Sequence, residues 1–195
     1  MKKYRNQTMK KIQPKTTFFP NKLYCFNVYW FNHIMERVGV NRDGVRLPNH
    51  VAIISILDPE ERRGEEYHYF LPNLLFNSDR ILNIDFDDVN GDSSIWDNYY
   101  RTEPDKFIVY KNELLKPITD KQAEEIVQFI IKNLGKHFII HCYAGVSRSK
   151  AVTQFIFDTF DGYDKSDCKE WSDKEIPNKF VLKKLKEAYN RLKTN

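Results

Sequence analysis

The sequence predicts an α/β fold, a central and mainly parallel sheet flanked by helices. Three observations carry that expectation. Short apolar runs of strand length alternate with longer segments of helical periodicity, the order that βαβ chains show. Two of the runs, His50 to Leu57 and Phe138 to Ile140, are nearly continuous in apolar residues, as strands covered on both faces are. The second run then passes through a short glycine-containing loop directly into a helical pattern.

Taken in order, Leu23 to Phe31 reads as a first strand and His50 to Leu57 as a second, buried one. Arg80 to Asp87 reads as a third, in which Leu82, Ile84 and Phe86 alternate with polar residues, so that Asp85 and Asp87 face away from them. Asn90-Gly91 marks a turn, and Phe107 to Tyr110 is strand-like. Thr119-Asp120-Lys121-Gln122 is a capping box, opening a helix whose apolar face is Ala123, Ile126, Val127, Ile130, Ile131 and Leu134 and which Gly135 ends. After the Phe138 to Ile140 strand, a helix begins at Arg148 with Ala151, Val152, Phe155, Ile156 and Phe160 inward and Gly162 as its stop. Phe180 to Leu192 closes the chain as an amphipathic helix with Val181, Leu185, Ala188, Tyr189 and Leu192 on one stripe.

The chain has 195 residues, 41% of them hydrophobic, enough for one domain with a full core, expected over 21–195. Residues 1–20 form a basic segment, with Lys2, Lys3, Arg5, Lys10, Lys11 and Lys15 and no acid in the first fifteen, expected to be flexible. It lacks the aromatic interleaving of a nucleic-acid site, so no nucleic-acid partner is expected. No run is long and apolar enough for a membrane span or a secretory signal, which points to the cytoplasm, with no membrane partner and a monomer as the default. Cys25, Cys142 and Cys168 fit neither metal-ligand spacing nor a disulfide framework, and a reducing compartment would keep them as thiols. Cys25 and Cys168 are read as packing residues, with the question whether either reaches Cys142 and protects it from oxidation left open. The Glu60 to Glu66 run is an exposed charged turn.

The most specific signal is His141-Cys142-Tyr143-Ala144-Gly145-Val146-Ser147-Arg148-Ser149. A thiol is a nucleophile as its thiolate, and converging backbone N–H groups, a guanidinium and a helix N-terminus supply the positive potential that favours one. The same donors hold a phosphoryl group. Gly145 allows tight curvature, and Arg148 offers a planar fork for two phosphate oxygens. Tyr143, Ala144, Gly145, Val146, Ser147 and Arg148 are therefore the expected phosphate-binding residues. A phosphate ester also leaves faster when an acid protonates its leaving oxygen. Asp85, Asp87 and Asp88 are candidates, with Asp88 placed where the third strand gives way to a loop at its carboxyl end.

HCYAGVSRS resembles the His-Cys-x5-Arg-Ser/Thr signature of the cysteine-dependent protein tyrosine and dual-specificity phosphatases, and the chain is similar to their compact bacterial and phage-type members. Weaker matches extend from about Leu23 to the C-terminus: Ile56-Leu57-Asp58-Pro59, Phe86-Asp87-Asp88-Val89, and Pro177-Asn178 at the last helix. The resemblance implies a tyrosine-phosphatase-like sheet and a phosphomonoester hydrolase acting on phosphorylated protein or peptide through a phosphocysteine. It makes Cys142 the nucleophile and Arg148 the phosphate ligand. Ser149 becomes the hydroxyl that helps the sulfur leave, and His141 a support for the loop. Asp88 is the best match to the family acid, Asp87 the runner-up and Asp97, after Trp96, a third. No metal or cofactor is implied. Phosphotyrosine is the expected substrate, with phosphoserine and phosphothreonine open. The alternatives are a phosphate-recognition module without turnover, a lipid or RNA 5′-phosphatase, and a rhodanese-like sulfur transferase. The absence of lysine among Tyr143, Ala144, Val146 and Ser147 suits a singly phosphorylated substrate. Trp96, Tyr99, Tyr100 and Asn41 to Gly44 are candidates to line the pocket.

Overall fold

A computed structural model describes residues 21–37, 47–58, 77–89, 116–164 and 177–194, together with the backbone of 108–110 and 113–115. The basic segment 1–20, Asn41 to Gly44, Glu60 to Glu66, Trp96, Asp97, Tyr99, Tyr100, Phe107 and Cys168 lie outside the described residues.

Five strands form one sheet in which every pairing is parallel: β1 (Asn21–Phe26), β2 (Val51–Leu57), β3 (Ile81–Asp85), β6 (His137–His141) and β7 (Tyr163–Asp164), in the order β3-β2-β6-β1-β7. A separate antiparallel pair joins β4 (Ile108–Tyr110) to β5 (Glu113–Leu115). Among the described residues four helices flank the main sheet: α1 (Val28–Arg37), α2 (Asp120–Lys132), α3 (Arg148–Thr159) and α4 (Lys179–Thr194). The predicted α/β class is the observed one.

Strand side chains alternate between the sheet's two faces, and the sequence of each central strand supplies an apolar residue to both. Ala52, Ile54, Ile56, Leu82, Ile84, Phe138 and Ile140 pack on one side with α2, α3 and α4; Val51, Ile53, Ile81 and Ile139 pack on the other with Phe31 and Met35 of α1. Burying each such side chain contributes about 1.5–3 kcal/mol before conformational entropy is counted. All seven residues of β2 are buried, which explains why its sequence shows no alternation. Among the described residues no helix is long and apolar enough to cross a membrane.

The structure corrects the sequence reading at β1. The predicted strand from Leu23 to Phe31 ends at Phe26, and the remainder is the first turn of α1. Asn27 is the reason: its side-chain oxygen accepts from the Trp30 backbone N–H at 2.8 Å, an N-cap that turns the chain into a helix. Val28, Phe31 and Met35 then recur at helical spacing on the buried side. Within α2 the inward face includes Phe129, while Ile131 is exposed. The capping box is formed, with Gln122 N donating to Thr119 Oγ1 at 3.2 Å and Thr119 N donating to Gln122 Oε1 at 2.9 Å. The third strand closes at Asp85, so Phe86 to Val89 leave the sheet before the predicted end.

Because the sheet is parallel, the carboxyl ends of β1, β2, β3 and β6 lie along one edge. Asn27, Asp58, Asp87, Asp88 and Cys142 follow those ends in the chain and gather there.

Candidate active site

β6 runs into a loop from Cys142 to Ser147, and α3 starts at Arg148. The strand end is fixed by packing, since the buried His141 ring stacks on Phe31 with centroids 3.9 Å apart. The loop is held against the β1–α1 junction. The Val28 backbone N–H donates to the Tyr143 carbonyl at 3.0 Å, and Gly145 adopts φ +74° with its α-carbon facing Phe26 and Asn27. A Cβ at Gly145 would stand 2.6 Å from the Asn27 backbone nitrogen and 2.8 Å from the Phe26 carbonyl carbon, so any other residue there would displace the loop.

Cys142 is buried, with its sulfur accepting from the Gly145 backbone N–H at 3.2 Å and lying 3.1 Å from Ser149 Oγ. Ser147 stands at the N-cap of α3 but makes no capping hydrogen bond with its side chain. Its hydroxyl instead donates to Asp88 Oδ1 at 2.7 Å. The first-turn N–H groups of α3 therefore remain uncapped by that hydroxyl, and such groups are what an anion binds. Tyr143 and Ala144 are exposed, Val146 and Ser147 half-buried, and Arg148 and Ser149 buried.

The opposite wall is the segment after β3. Arg148 Nη1 donates to the Phe86 carbonyl at 2.8 Å, tying the guanidinium to this wall. Asp87 is anchored by its backbone N–H donating to the Lys116 carbonyl at 2.7 Å and by its Oδ2 accepting from the Lys116 N–H. Burial raises the Asp87 carboxyl above its ordinary range, with the Lys116 hydrogen bond and the nearby Arg148 charge opposing and Asp58 reinforcing. Asp88 Oδ1 accepts from Ser147 Oγ and from Asn178 Nδ2, both at 2.7 Å.

The structure thus brings Cys142, Gly145, Ser147, Arg148, Ser149, Asp87 and Asp88 together. His141 belongs to the core beneath the loop, its ring stacked on Phe31. Asp85, within β3, supplies its carbonyl to Gln122 Nε2 at 2.8 Å and so helps seat α2.

Two residues with a place in this site escaped the sequence reading. Asn178 is fully buried and caps α4 through Oδ1, which accepts from the Val181 N–H at 3.0 Å. Its Nδ2 reaches Asp88 and the Val89 carbonyl, and its backbone N–H donates to the Ser147 carbonyl at 3.3 Å. The Pro177-Asn178 pair signals a helix start, but nothing in that signal shows what the other end of the amide will touch. Cys25, read as a packing residue, donates toward Ser149 Oγ at 3.2 Å. Only strand register reveals this proximity.

No family model matches the chain, and neither the curated proteins nor the solved structures contain a match.

Proposed function

We propose that the protein is a cysteine-dependent phosphomonoester hydrolase of tyrosine-phosphatase-like fold, removing phosphate from protein phosphotyrosine. One observation carries the reading: the Cys142 sulfur accepts the Gly145 backbone N–H in a loop that leads into Arg148 at the head of α3 and is tied to Asp88 through Ser147. An anion at this position meets a helix N-terminus and a guanidinium together, and phosphoryl transfer asks chiefly for that positioning and charge stabilisation.

The Cys142 thiolate attacks phosphorus in line, forming the S–P bond as the P–O bond to the leaving group breaks. Arg148 and the loop N–H groups hold the equatorial oxygens. Asp88 protonates the departing oxygen; because two donors meet at its Oδ1, the transferred proton is carried on Oδ2. Water then attacks the phosphocysteine, with Asp88 taking its proton, and the S–P bond breaks to return the thiolate and release phosphate. Ser149, within hydrogen-bond distance of the sulfur, stabilises the departing thiolate. The exposed Tyr143 and Tyr29 rings pair edge to face at 6.4 Å beside the loop and offer an aromatic wall to an aryl ester. A thiol nucleophile suits a reducing compartment, consistent with the cytoplasm.

A second assignment of the acid is favoured by a specific observation. Burial raises the Asp87 pKa, the direction that favours a proton-donating carboxyl. The two are separated by the pH dependence of aryl phosphate hydrolysis in Asp87→Asn and Asp88→Asn: the acid is the residue whose loss removes the basic limb.

The reading itself is tested by assaying an aryl phosphate with wild type and Cys142→Ser in the presence of a chelator. Hydrolysis by the wild type, blocked by vanadate and lost in Cys142→Ser, is expected. Undiminished hydrolysis by the serine variant would overturn it.

A further inference from the structure

α4 carries six lysines and arginines and one glutamate, a net +5 on a single helix, where the whole chain has +4. Two of these cations face α2, where Lys184 and Arg191 meet Asp120 and Glu124. Lys179, Lys183, Lys186, Asn190 and Lys193 recur at a spacing that puts them in one narrow outward stripe, and all are exposed. Lys186 lies 3.9 Å from Asp158, and Lys193 stands over the Tyr189 ring. No acidic residue of α4 falls in the stripe.

Helix stability does not account for this pattern. Like charges three or four residues apart repel, as Lys179, Lys183 and Lys186 do in turn. A cation in a first turn that holds no acid also opposes the helix dipole. Where α4 begins explains the placement better. Asn178, the residue before Lys179, has its amide on Asp88 and its backbone N–H on the Ser147 carbonyl, so the stripe starts at the rim of the candidate site. That rim is poor in positive charge, since Arg148 and Lys116 share it with the carboxyl groups of Asp58, Asp87 and Asp88.

We propose that Lys179, Lys183 and Lys186 form a docking surface for an acidic segment flanking the phosphotyrosine of a protein substrate, and so determine which substrates are chosen. This rests on the phosphatase reading. From Lys179 to Lys186 the helix rises about 10 Å at 1.5 Å per residue, a distance an extended peptide covers in about three residues. A short run of Asp or Glu beside the phosphotyrosine therefore meets the lysines in succession while the phosphate sits at Cys142. Complementary charge at an exposed rim acts mainly on encounter and is screened by salt. A peptide suits the stripe better than two other polyanions. α4 contributes none of the exposed large hydrophobic residues that a membrane-surface helix inserts, and no aromatic side chain is interleaved in the stripe to stack on bases.

The test compares kcat/KM for a phosphotyrosine peptide flanked by glutamates with that for the same peptide carrying glutamines, each divided by the same protein's rate on phenyl phosphate. At low salt the wild type should prefer the acidic peptide by about 5- to 10-fold, through a lower KM, and the preference should shrink as salt rises. The combined variant Lys179→Gln, Lys183→Gln, Lys186→Gln should lose it. No preference in the wild type, or a preference that the combined variant keeps, overturns the proposal. Binding of single-stranded RNA or phosphatidylserine vesicles that depends on the three lysines, with no discrimination between the peptides, overturns it too. The wild-type preference needs no variant to fold. Failure of the wild type to hydrolyse phenyl phosphate overturns the phosphatase reading, whereas fluorescence anisotropy of the two labelled peptides decides the docking surface by itself.

Discussion

At the amino ends of the strands, polar groups satisfy one another and the chain is pinned in place. The Lys22 N–H donates to His137 Nδ1 at 2.8 Å, the His137 N–H to the His50 carbonyl at 2.8 Å, and the Gly135 N–H to the Tyr163 hydroxyl at 3.1 Å. Burial pushes the Tyr163 hydroxyl up to about 12, so it remains a neutral phenol. At the carboxyl ends the same kinds of group are arranged differently. Ser147, at the head of α3, turns its hydroxyl to Asp88 instead of the helix, Arg148 reaches across to the Phe86 carbonyl, and a thiol meets a backbone N–H. One edge closes the sheet and the other holds donors around a sulfur. The difference supports placing the proposed function at the carboxyl edge, where parallel sheets commonly bind ligands.

Substitutions at the two edges should accordingly separate activity from stability. After loss of the nucleophile itself, the largest effect is expected from Asp88→Asn, which should slow hydrolysis of esters with poor leaving groups by roughly 10²–10⁴-fold and activated aryl esters much less, as steady-state rates across a leaving-group series will show. Arg148→Lys keeps the charge but loses the fork and the bond to Phe86, and kcat/KM should fall on the order of 10²–10³-fold, with little change in the far-ultraviolet circular dichroism. Asn178→Ala leaves Asp88 without one of its two donors and α4 without its cap. It should cost about 1–3 kcal/mol of stability in denaturant unfolding and lower kcat more than it raises KM.

The smallest effect belongs to the amino edge. Burial and the neighbouring charges of His50 and Lys22 lower the His137 pKa. A histidine depressed in the fold contributes stability that is present above its unfolded value of 6.5 and is lost as pH falls from there through the lower folded value. The melting temperature should therefore decline below that pH more steeply in wild type than in His137→Gln, while the hydrolysis rate of the variant matches wild type. Asp87 runs the other way. Its raised carboxyl favours the folded state below 3.8, and that contribution fades as pH rises through the folded value, so Asp87→Asn should flatten that part of the stability profile.

Much of this was legible in the residues. The β2 and β6 runs, the capping box at Thr119 and the strand–loop–helix around Cys142 depend on local pattern, and local pattern is what a sequence displays. The end of β1 was misread because Val28 to Phe31 is as apolar as a strand, while the deciding feature is a single cap at Asn27. The contacts that complete the site join Asp88 to Ser147, Phe86 to Arg148 and Asn178 to Asp88, pairs 59, 62 and 90 residues apart. They arise from how parallel strands register and where the last helix docks, and no periodicity encodes that.

The central claim, that Cys142 takes the phosphoryl group, is tested most directly by rapid acid quench of wild type mixed with a phosphotyrosine peptide carrying labelled phosphate, followed by peptide mapping. The label should appear on the Cys142 peptide within the first turnover, as an S-phosphocysteine, and vanish as free phosphate is released. Full turnover with no label on the protein, or label on any other residue, would contradict it.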